Sequence, residues 1–194
     1  MYIEKRCQLA TPRTREEIRR DAFLLREKLG LAHEPFFPVV EFIEHVLPIT
    51  DPTFYLDVIS DKDMPGIQAE YVPSQNVMRV RESVYEAAVA GYWWARSTLA
   101  HELGHYYYHN EDTVRFATLD PFTKLPYAID PEQQADTFMA ELLAPVHLIR
   151  GMSVRKAGKE FGVSYCIAKR QLCILERIKR RHKRKKKRRS SASA

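Results

Sequence analysis

The sequence predicts an α+β fold, because strand-like segments occur only in its first half and helical patterns run through the whole chain. Short β-branched and aromatic runs bounded by turn residues indicate strands, and apolar residues spaced three to four apart indicate helices. A length of 194 residues suits one compact domain with a small appendage. We therefore expect a main domain over residues 1–147, in which a short antiparallel sheet packs on helices. A two-helix segment (148–176) and a disordered basic tail (177–194) follow.

The elements before residue 84 can be assigned in order. A helix runs from Thr14 to Leu29 and is closed by Gly30, and a second short helix covers Pro38 to Val46. Residues 53–59 form a strand. Residues 67–72 and 77–81 flank the turn sequence Pro73-Ser74-Gln75-Asn76 and so predict a hairpin.

The most informative motif follows, His101-Glu102-Leu103-Gly104-His105. It lies in a proline-free stretch that predicts a helix, which either begins near Tyr92 or is capped by Ser97 or Thr98 and stops at Asn110. Residues four apart share a helix face, so both imidazoles can bind one zinc ion, and Glu102 can take a proton from water at that ion. A chance meeting of two histidines and a glutamate is the alternative, so a third ligand is needed.

The third ligand is expected on the next helix, which Asp130 caps and Pro145 ends. Glu132 and Asp136 are four residues apart and share one face of it. Glu132 can bind the metal, while Asp136 can accept a hydrogen bond from a ligand histidine. A solvated acidic helix edge is the alternative interpretation. Glu141 points off this face and is the weaker candidate.

Two segments resemble the ImmA/IrrE family of metallopeptidases. The first is Ala100 to His105, and the second is Glu132-Gln133-Gln134-Ala135-Asp136-Thr137-Phe138-Met139-Ala140-Glu141-Leu142-Leu143-Ala144-Pro145. The resemblance implies a zincin-like domain with a gluzincin-like site, in which His101, His105 and Glu132 bind Zn²⁺ and Glu102 is the base. Met139 and Ala144 depart from the residues usual in the family. Both are packing positions, so they bear on core volume and not on the metal site.

Composition indicates a cytoplasmic protein. No stretch of about 18 uncharged apolar residues occurs, so no membrane span is expected, and no apolar run follows the N-terminus, so no signal peptide is expected. The three cysteines are odd in number and form no C-x-x-C motif, which favours a reducing compartment and a metal site built from histidine and glutamate.

The net charge of +6 comes from the tail, because Arg177 to Arg189 holds eleven Lys and Arg residues and no acid. Without them, 20 basic residues stand against 25 acidic ones, a charge of −5. Such a run repels itself and is expected to be disordered. It is either a non-specific nucleic-acid contact or a solubilising tail without a partner.

Two further segments carry functional hypotheses. Residues 153–172 resemble a helix-turn-helix, and they also resemble the segment that follows the peptidase core in the ImmA/IrrE family. They either contact DNA or form a scaffold that packs under the metal site. The residues between His105 and Glu132 include Pro121 and Pro126 and are expected to loop over the cleft. Tyr108, His109 and Tyr127 are candidate oxyanion stabilisers, although ordinary packing or a surface position is the stronger interpretation of each.

The sequence therefore predicts a zinc endopeptidase, and the resemblance implies a helix-turn-helix transcriptional repressor as its protein substrate. The alternative is a DNA-associated regulator that uses the helix-turn-helix and the tail, with a structural or vestigial metal site. An intact Glu102 favours the enzyme, since a structural site needs no base and closes its fourth position with protein.

Overall fold

The computed structural model describes residues 7–109, 114–116 and 125–191 and confirms the α+β class. Its elements in chain order are β1 (Cys7–Leu9), α1 (Arg15–Lys28), α2 (Val39–Glu41), a π-helical turn (Phe42–Val46), α3 (Leu47–Thr50), β2 (Tyr55–Ile59), β3 (Ala69–Val72), a 3-10 turn (Pro73–Gln75), β4 (Val77–Arg81), α4 (Glu82–Val89), α5 (Trp93–Tyr108), β5 (Val114–Phe116), a second 3-10 turn (Tyr127–Ile129), α6 (Pro131–Leu143), α7 (Val154–Phe161) and α8 (Tyr165–Ser191).

The three-stranded sheet has the order β2-β4-β3, with β4 in the centre. The predicted hairpin is confirmed, because β3 and β4 pair antiparallel with Tyr71 opposite Met78. The expectation of a wholly antiparallel sheet is wrong, since β2 pairs parallel with β4 and places Tyr55 opposite Val77. Burial accounts for the strand order: β4 is the most apolar strand and its Val77, Met78 and Val80 are buried, so it takes the central place between the more exposed β2 and β3.

A second, two-stranded sheet pairs β1 with β5 antiparallel, with Cys7 opposite Phe116. The sequence did not predict it, because strands of three residues leave almost no periodicity to detect. Of the segment between His105 and Glu132, the structure describes residues 106–109, which end α5, then β5, and then residues 125–131 around the second 3-10 turn. Pro121 lies outside the described residues.

The ends of α1 are set by a capping residue at its start and a glycine after its end. Thr14 caps α1 through a capping box with Glu17, and Gly30 follows at φ +72°, a conformation that favours glycine. The predicted second helix is longer than expected, since helical backbone continues from Val39 to Thr50.

Helix α5 runs through the middle of the molecule and packs against α6, α4 and the sheet. It begins at Trp93, so Ser97 and Thr98 lie inside it, where their hydroxyls donate to the carbonyls of Trp93 and Trp94. The helix ends at Tyr108, and Asn110, its predicted stop, lies outside the described residues.

The segment 153–172 forms two helices joined by a short turn. Ser153 caps α7, Gly162 ends it at φ +60°, and Ser164 caps α8 by accepting from the Ile167 N–H at 3.1 Å. Buried Arg96 of α5 holds this turn by donating to the carbonyls of Phe161 (3.2 Å) and Gly162 (2.6 Å). The pair of helices is therefore fixed directly to the helix that carries the H-E-x-x-H motif.

The prediction of disorder from Arg177 onward is wrong for the described residues, because α8 continues without a break to Ser191. Lysine and arginine are good helix formers, and the packed first turns of α8 supply the nucleus from which the helix extends. Local ion pairs add support, from Lys179 to Glu176 at 2.6 Å and from Arg181 to Glu16 of α1 at 3.5 Å. The helix thus crosses the predicted boundary after residue 176, while the boundary at residue 147 stays a prediction.

Across the described part of the chain, every helix is too short or too polar to span a bilayer.

Candidate metal centre

The candidate site lies between α5 and α6 where the two helices approach most closely. A Cβ atom on Gly104 would stand 2.8 Å from Ala135 Cα, a separation that real Cβ atoms essentially never show. Only glycine therefore permits this approach. The contact brings His101 and His105, on either side of Gly104, opposite Glu132 of α6.

The structure brings the three predicted ligands together. The Nε2 atoms of His101 and His105 lie 3.0 Å apart. Glu132 Oε2 lies 3.4 Å from His101 Nε2, and its Oε1 lies 3.7 Å from His105 Nε2. One ligand atom from each residue falls within 4.8 Å of the others, so this cluster could hold a metal ion. Both histidines are largely covered and Glu132 is exposed, which leaves the cluster open to solvent on one side.

The other ring nitrogens of the two histidines fix their tautomers. His101 Nδ1 lies 3.1 Å from Asp136 Oδ1, and an ionised carboxylate only accepts, so this nitrogen carries the proton. In the neutral ring, Nε2 then has a lone pair that is directed toward His105 and Glu132. Asp136 thus has the contact expected of it from the sequence.

For His105 the same result follows from a relay of side chains. Gln134 Nε2 donates to the carbonyls of Ala128 (2.7 Å) and Thr11 (3.0 Å), so its Oε1 must accept from His109 Nε2 at 3.2 Å. His109 Nδ1 is then an acceptor and receives the proton of His105 Nδ1 at 2.9 Å. If both rings were neutral, two unprotonated Nε2 atoms would face each other across 3.0 Å, an arrangement that requires a cation or a shared proton between them.

The electrostatics favour one positive charge at this point. Burial opposes protonation of His101, but Asp136 and Glu132 outweigh it and raise its pKa to about 10. Burial, and then the charge of His101, lower the pKa of His105 to about 4. Without a metal, the Nε2 atoms of His101 and His105 share one proton, and a metal cation would replace that proton. The donor set of two imidazoles and a carboxylate, with its outer nitrogens already bound, fits a divalent ion such as zinc.

Glu102 lies on the neighbouring face of α5 and is buried. Its Oε2 accepts the backbone N–H of Tyr71 in β3 at 2.8 Å. Burial raises its pKa to about 7, against the opposing effects of the His101 charge and the Tyr71 N–H. A carboxyl group with this pKa can gain or lose a proton near neutrality.

A cleft of about 350 Å³ opens beside Glu102 and His101, and Gln68, Ala69, Ser97, Thr98, Asp136 and Met139 complete its wall. The Arg81 N–H donates to the Gln68 carbonyl, so residue 68 faces β4 in the ladder. Backbone groups alternate along a strand, and the N–H and C=O of Ala69 and Tyr71 therefore face the opposite way, toward the cleft. β3 is an edge strand, and this edge lines the candidate site.

The other residues considered from the sequence lie elsewhere. Glu141 is buried and pairs with Arg19 at 3.0 Å. The Tyr108 hydroxyl donates to Asp21, and the Tyr127 ring lies under the Arg15 guanidinium, so both tyrosines have packing roles. His109 lies behind His105 as part of the relay and not in the cleft.

The sequence interpretation considered His109 only as an oxyanion stabiliser and missed its contact with His105, and it missed Gln134 altogether. The signal was present for His109, because histidines 101, 105 and 109 recur at intervals of four and so share one helix face. No comparable pattern marked Gln134.

Fold and site together define a small α+β domain with an H-E-x-x-H helix and a candidate metal centre. Residues 95–172 match the family model of the IrrE N-terminal-like domain, peptidase family M78, and this match confirms the resemblance to the ImmA/IrrE family. The matched segment carries α5, α6, α7 and the start of α8, and so includes the candidate metal centre.

Among solved structures, a Mycobacterium tuberculosis transcriptional regulator is similar to this chain with a TM-score of 0.47 and 13% sequence identity. The similarity covers 78% of this chain and 45% of that protein, so the chain spans less than half of its length. No curated protein matches the sequence.

Proposed function

We propose that the protein is a zinc-dependent endopeptidase that acts on a specific intracellular protein. The observation that carries the proposal is the convergence of His101 Nε2, His105 Nε2 and a Glu132 carboxylate oxygen within 4.8 Å, beside a cleft that Glu102 also lines. Three protein ligands and an open side are typical of catalytic zinc sites, whereas structural sites close all four positions with protein. A zinc ion bound there would polarise a scissile carbonyl and lower the pKa of water.

Glu102 is the proposed general base. It is not part of the ligand cluster, and its carboxylate is held by the Tyr71 N–H at 2.8 Å, so its orientation is set before substrate arrives. A base of raised pKa takes a proton from the attacking water and can return it to the leaving amine. General acid–base groups of this kind contribute about 10²–10⁴-fold to rate.

The β3 edge is the proposed substrate-aligning surface. An extended peptide can add to an exposed sheet edge through backbone hydrogen bonds. The Tyr71 N–H is used by Glu102, so the backbone of Ala69, which lines the cleft, is the pairing point that supports this arrangement. A site that accepts one extended strand selects unfolded or looped segments and so restrains general proteolysis.

The proposed substrate is a helix-turn-helix transcriptional repressor, cut at a single place so that repression is relieved. The similarity of residues 95–172 to the IrrE N-terminal-like family supports this class of substrate. Incubating the zinc-loaded protein with a candidate repressor and, separately, with unfolded casein tests it. One cut in the repressor with intact casein supports the proposal, whereas digestion of casein at many places with intact repressor contradicts it.

The metal ligands are tested by substitution. We expect about one zinc ion per chain, and its loss in His101→Ala, His105→Ala and Glu132→Ala, because three protein ligands define such a site. His45→Ala and Glu160→Ala are the matched controls, since both residues lie outside the cluster. Elemental analysis that finds full zinc occupancy in Glu132→Ala would remove Glu132 from the ligand set.

A DNA-associated regulator remains a second candidate, and the specific observation that favours it is the long basic helix α8. The two candidates differ in what Glu102 must do. A regulator with a structural metal would tolerate loss of the Glu102 carboxylate, and a peptidase would not.

A further inference from the structure

Beyond the peptidase site, we propose that α8 binds duplex nucleic acid through one continuous basic face. This face, the α8 stripe, consists of Cys166, Lys169, Arg170, Cys173, Arg177, Arg180 and Arg184, all of which are exposed. A helix turns about 100° per residue, so these positions fall within roughly 100° of its circumference. The stripe holds five cations and no acid over about 22 Å, at 1.5 Å per residue from Lys169 to Arg184.

The opposite face of α8 anchors the helix in the body. Ala168 and Gln171 are buried, and the Gln171 side chain donates to the carbonyls of Ala140 (3.1 Å) and Ala144 (2.9 Å) in α6. The orientation of the stripe toward solvent is therefore fixed by packing. The stripe follows from the fold, because a disordered tail would present its cations in no fixed direction.

The preceding helix extends the basic surface. Exposed Arg155, Lys156 and Lys159 lie on α7, which packs against α8 through a three-residue turn that begins with Gly162. A short turn containing glycine between two packed helices is typical of the helix-turn-helix, whose second helix enters the major groove. The groove is about 12 Å wide and admits one α-helix.

The stripe favours a duplex over other polyanions. A helix that binds a membrane surface needs an apolar face to insert, and from Glu176 to Arg184 the helix offers only half-buried Ile178. Single-stranded nucleic acid binds through aromatic stacking, and the stripe contains no aromatic residue. Regularly spaced cations on a rigid helix match the regularly spaced phosphates of a duplex, and such binding carries little sequence information.

The first test measures the salt dependence of binding to a random-sequence DNA duplex of about 20 base pairs, between about 50 and 200 mM salt. Lys169→Gln/Arg170→Gln should bind more weakly, and the slope of log affinity against log salt should fall in magnitude by about 1.8, or about 0.9 for each phosphate that the variant no longer neutralises. Lys28→Gln/Lys62→Gln removes two exposed charges outside the stripe and should keep the wild-type slope. Equal slopes for all three proteins would overturn the proposal.

The second test uses the two thiols that the stripe itself contains. Cys166 and Cys173 flank Lys169 and Arg170 and are exposed. Saturating duplex should slow their alkylation at least severalfold, as read by peptide mass spectrometry, whereas inorganic phosphate at the same phosphate concentration should not. If both thiols stay fully reactive in the complex, and truncation after Glu176 abolishes binding, the contact excludes Lys169 and Arg170, and a single continuous binding face along the stripe is refuted. Tighter binding to phosphatidylglycerol vesicles than to the duplex would also refute it.

Discussion

Replacing Gly104 by alanine should weaken the metal site through packing alone, without touching a ligand. The added Cβ would stand 2.8 Å from Ala135 Cα, 3.1 Å from Ala135 Cβ and 3.1 Å from the Ala135 carbonyl oxygen. The Cα and the carbonyl oxygen are backbone atoms, which no rotamer change can move. Ordinary van der Waals contact of a Cβ atom begins at 3.4 Å, and the separation from Ala135 Cα is 2.8 Å. The helices α5 and α6 must therefore move apart by roughly 0.6 Å.

The effect on stability is the difference of two terms. Overpacking a tight contact costs about 1–3 kcal/mol. Alanine in a helix interior gains about 1 kcal/mol over glycine, so the net loss is about 0–2 kcal/mol. For a protein of this size that corresponds to a fall in Tm of up to about 8 °C.

The effect on metal binding should be larger, because His101 and His105 belong to α5 and Glu132 to α6. Displacement of one helix changes every distance between the two ligand groups, and misplaced ligand support typically costs about 10–100-fold in metal affinity. Zinc affinity from chelator competition, with Tm measured in parallel without metal, checks both effects. Gly158→Ala is the control, since its Cβ would meet only the Val163 carbonyl oxygen at 3.3 Å. Wild-type zinc affinity in Gly104→Ala would refute the claim that helix approach sets the ligand geometry.

Two further outcomes follow from the hydrogen bonds around the site. His109→Phe keeps a ring but removes the acceptor for His105 Nδ1–H, so zinc affinity should fall about 10–100-fold, and unchanged affinity in chelator competition would contradict the relay. Asp51 accepts from Thr53, Asn76 and Tyr106, and the Thr53 and Asn76 bonds chiefly lower its pKa to about 2. Because the pKa is depressed on folding, this stabilisation is complete above the unfolded value of about 3.9 and is lost as pH falls toward 2. Asp51→Asn should therefore be less stable than wild type in chemical unfolding at pH 6, by a difference that shrinks between pH 4 and pH 2. A difference independent of pH would contradict it.

The helices that carry the site could be predicted because their signals are local. The cap at Asp130, the proline at residue 131 and the four-residue spacing of Glu132 and Asp136 all lie within one segment. The same holds for the β3–β4 hairpin around Asn76, which takes the left-handed conformation at φ 48°. Local chemistry within the segment is enough to specify such elements.

What could not be predicted depends on residues distant in the chain. The parallel pairing of β2 with β4 joins segments about 20 residues apart, and no spacing within Tyr55–Ile59 encodes it. Gln134 acquires its role only because the carbonyls of Thr11 and Ala128 take its amide protons. The helix beyond Arg177 was missed because the sequence shows the charge repulsion in this segment but not the packed first turns of α8, which nucleate the helix.

The Glu102→Gln variant tests the central claim most directly. Glutamine keeps the size of the side chain and can still accept the Tyr71 N–H, but it cannot take a proton from water. Zinc content and cleavage of a cognate repressor should be measured on the same preparation. We expect about one zinc ion per chain, as in wild type, with cleavage reduced by about 10²-fold or more. Cleavage at the wild-type rate by the zinc-loaded variant would contradict the account.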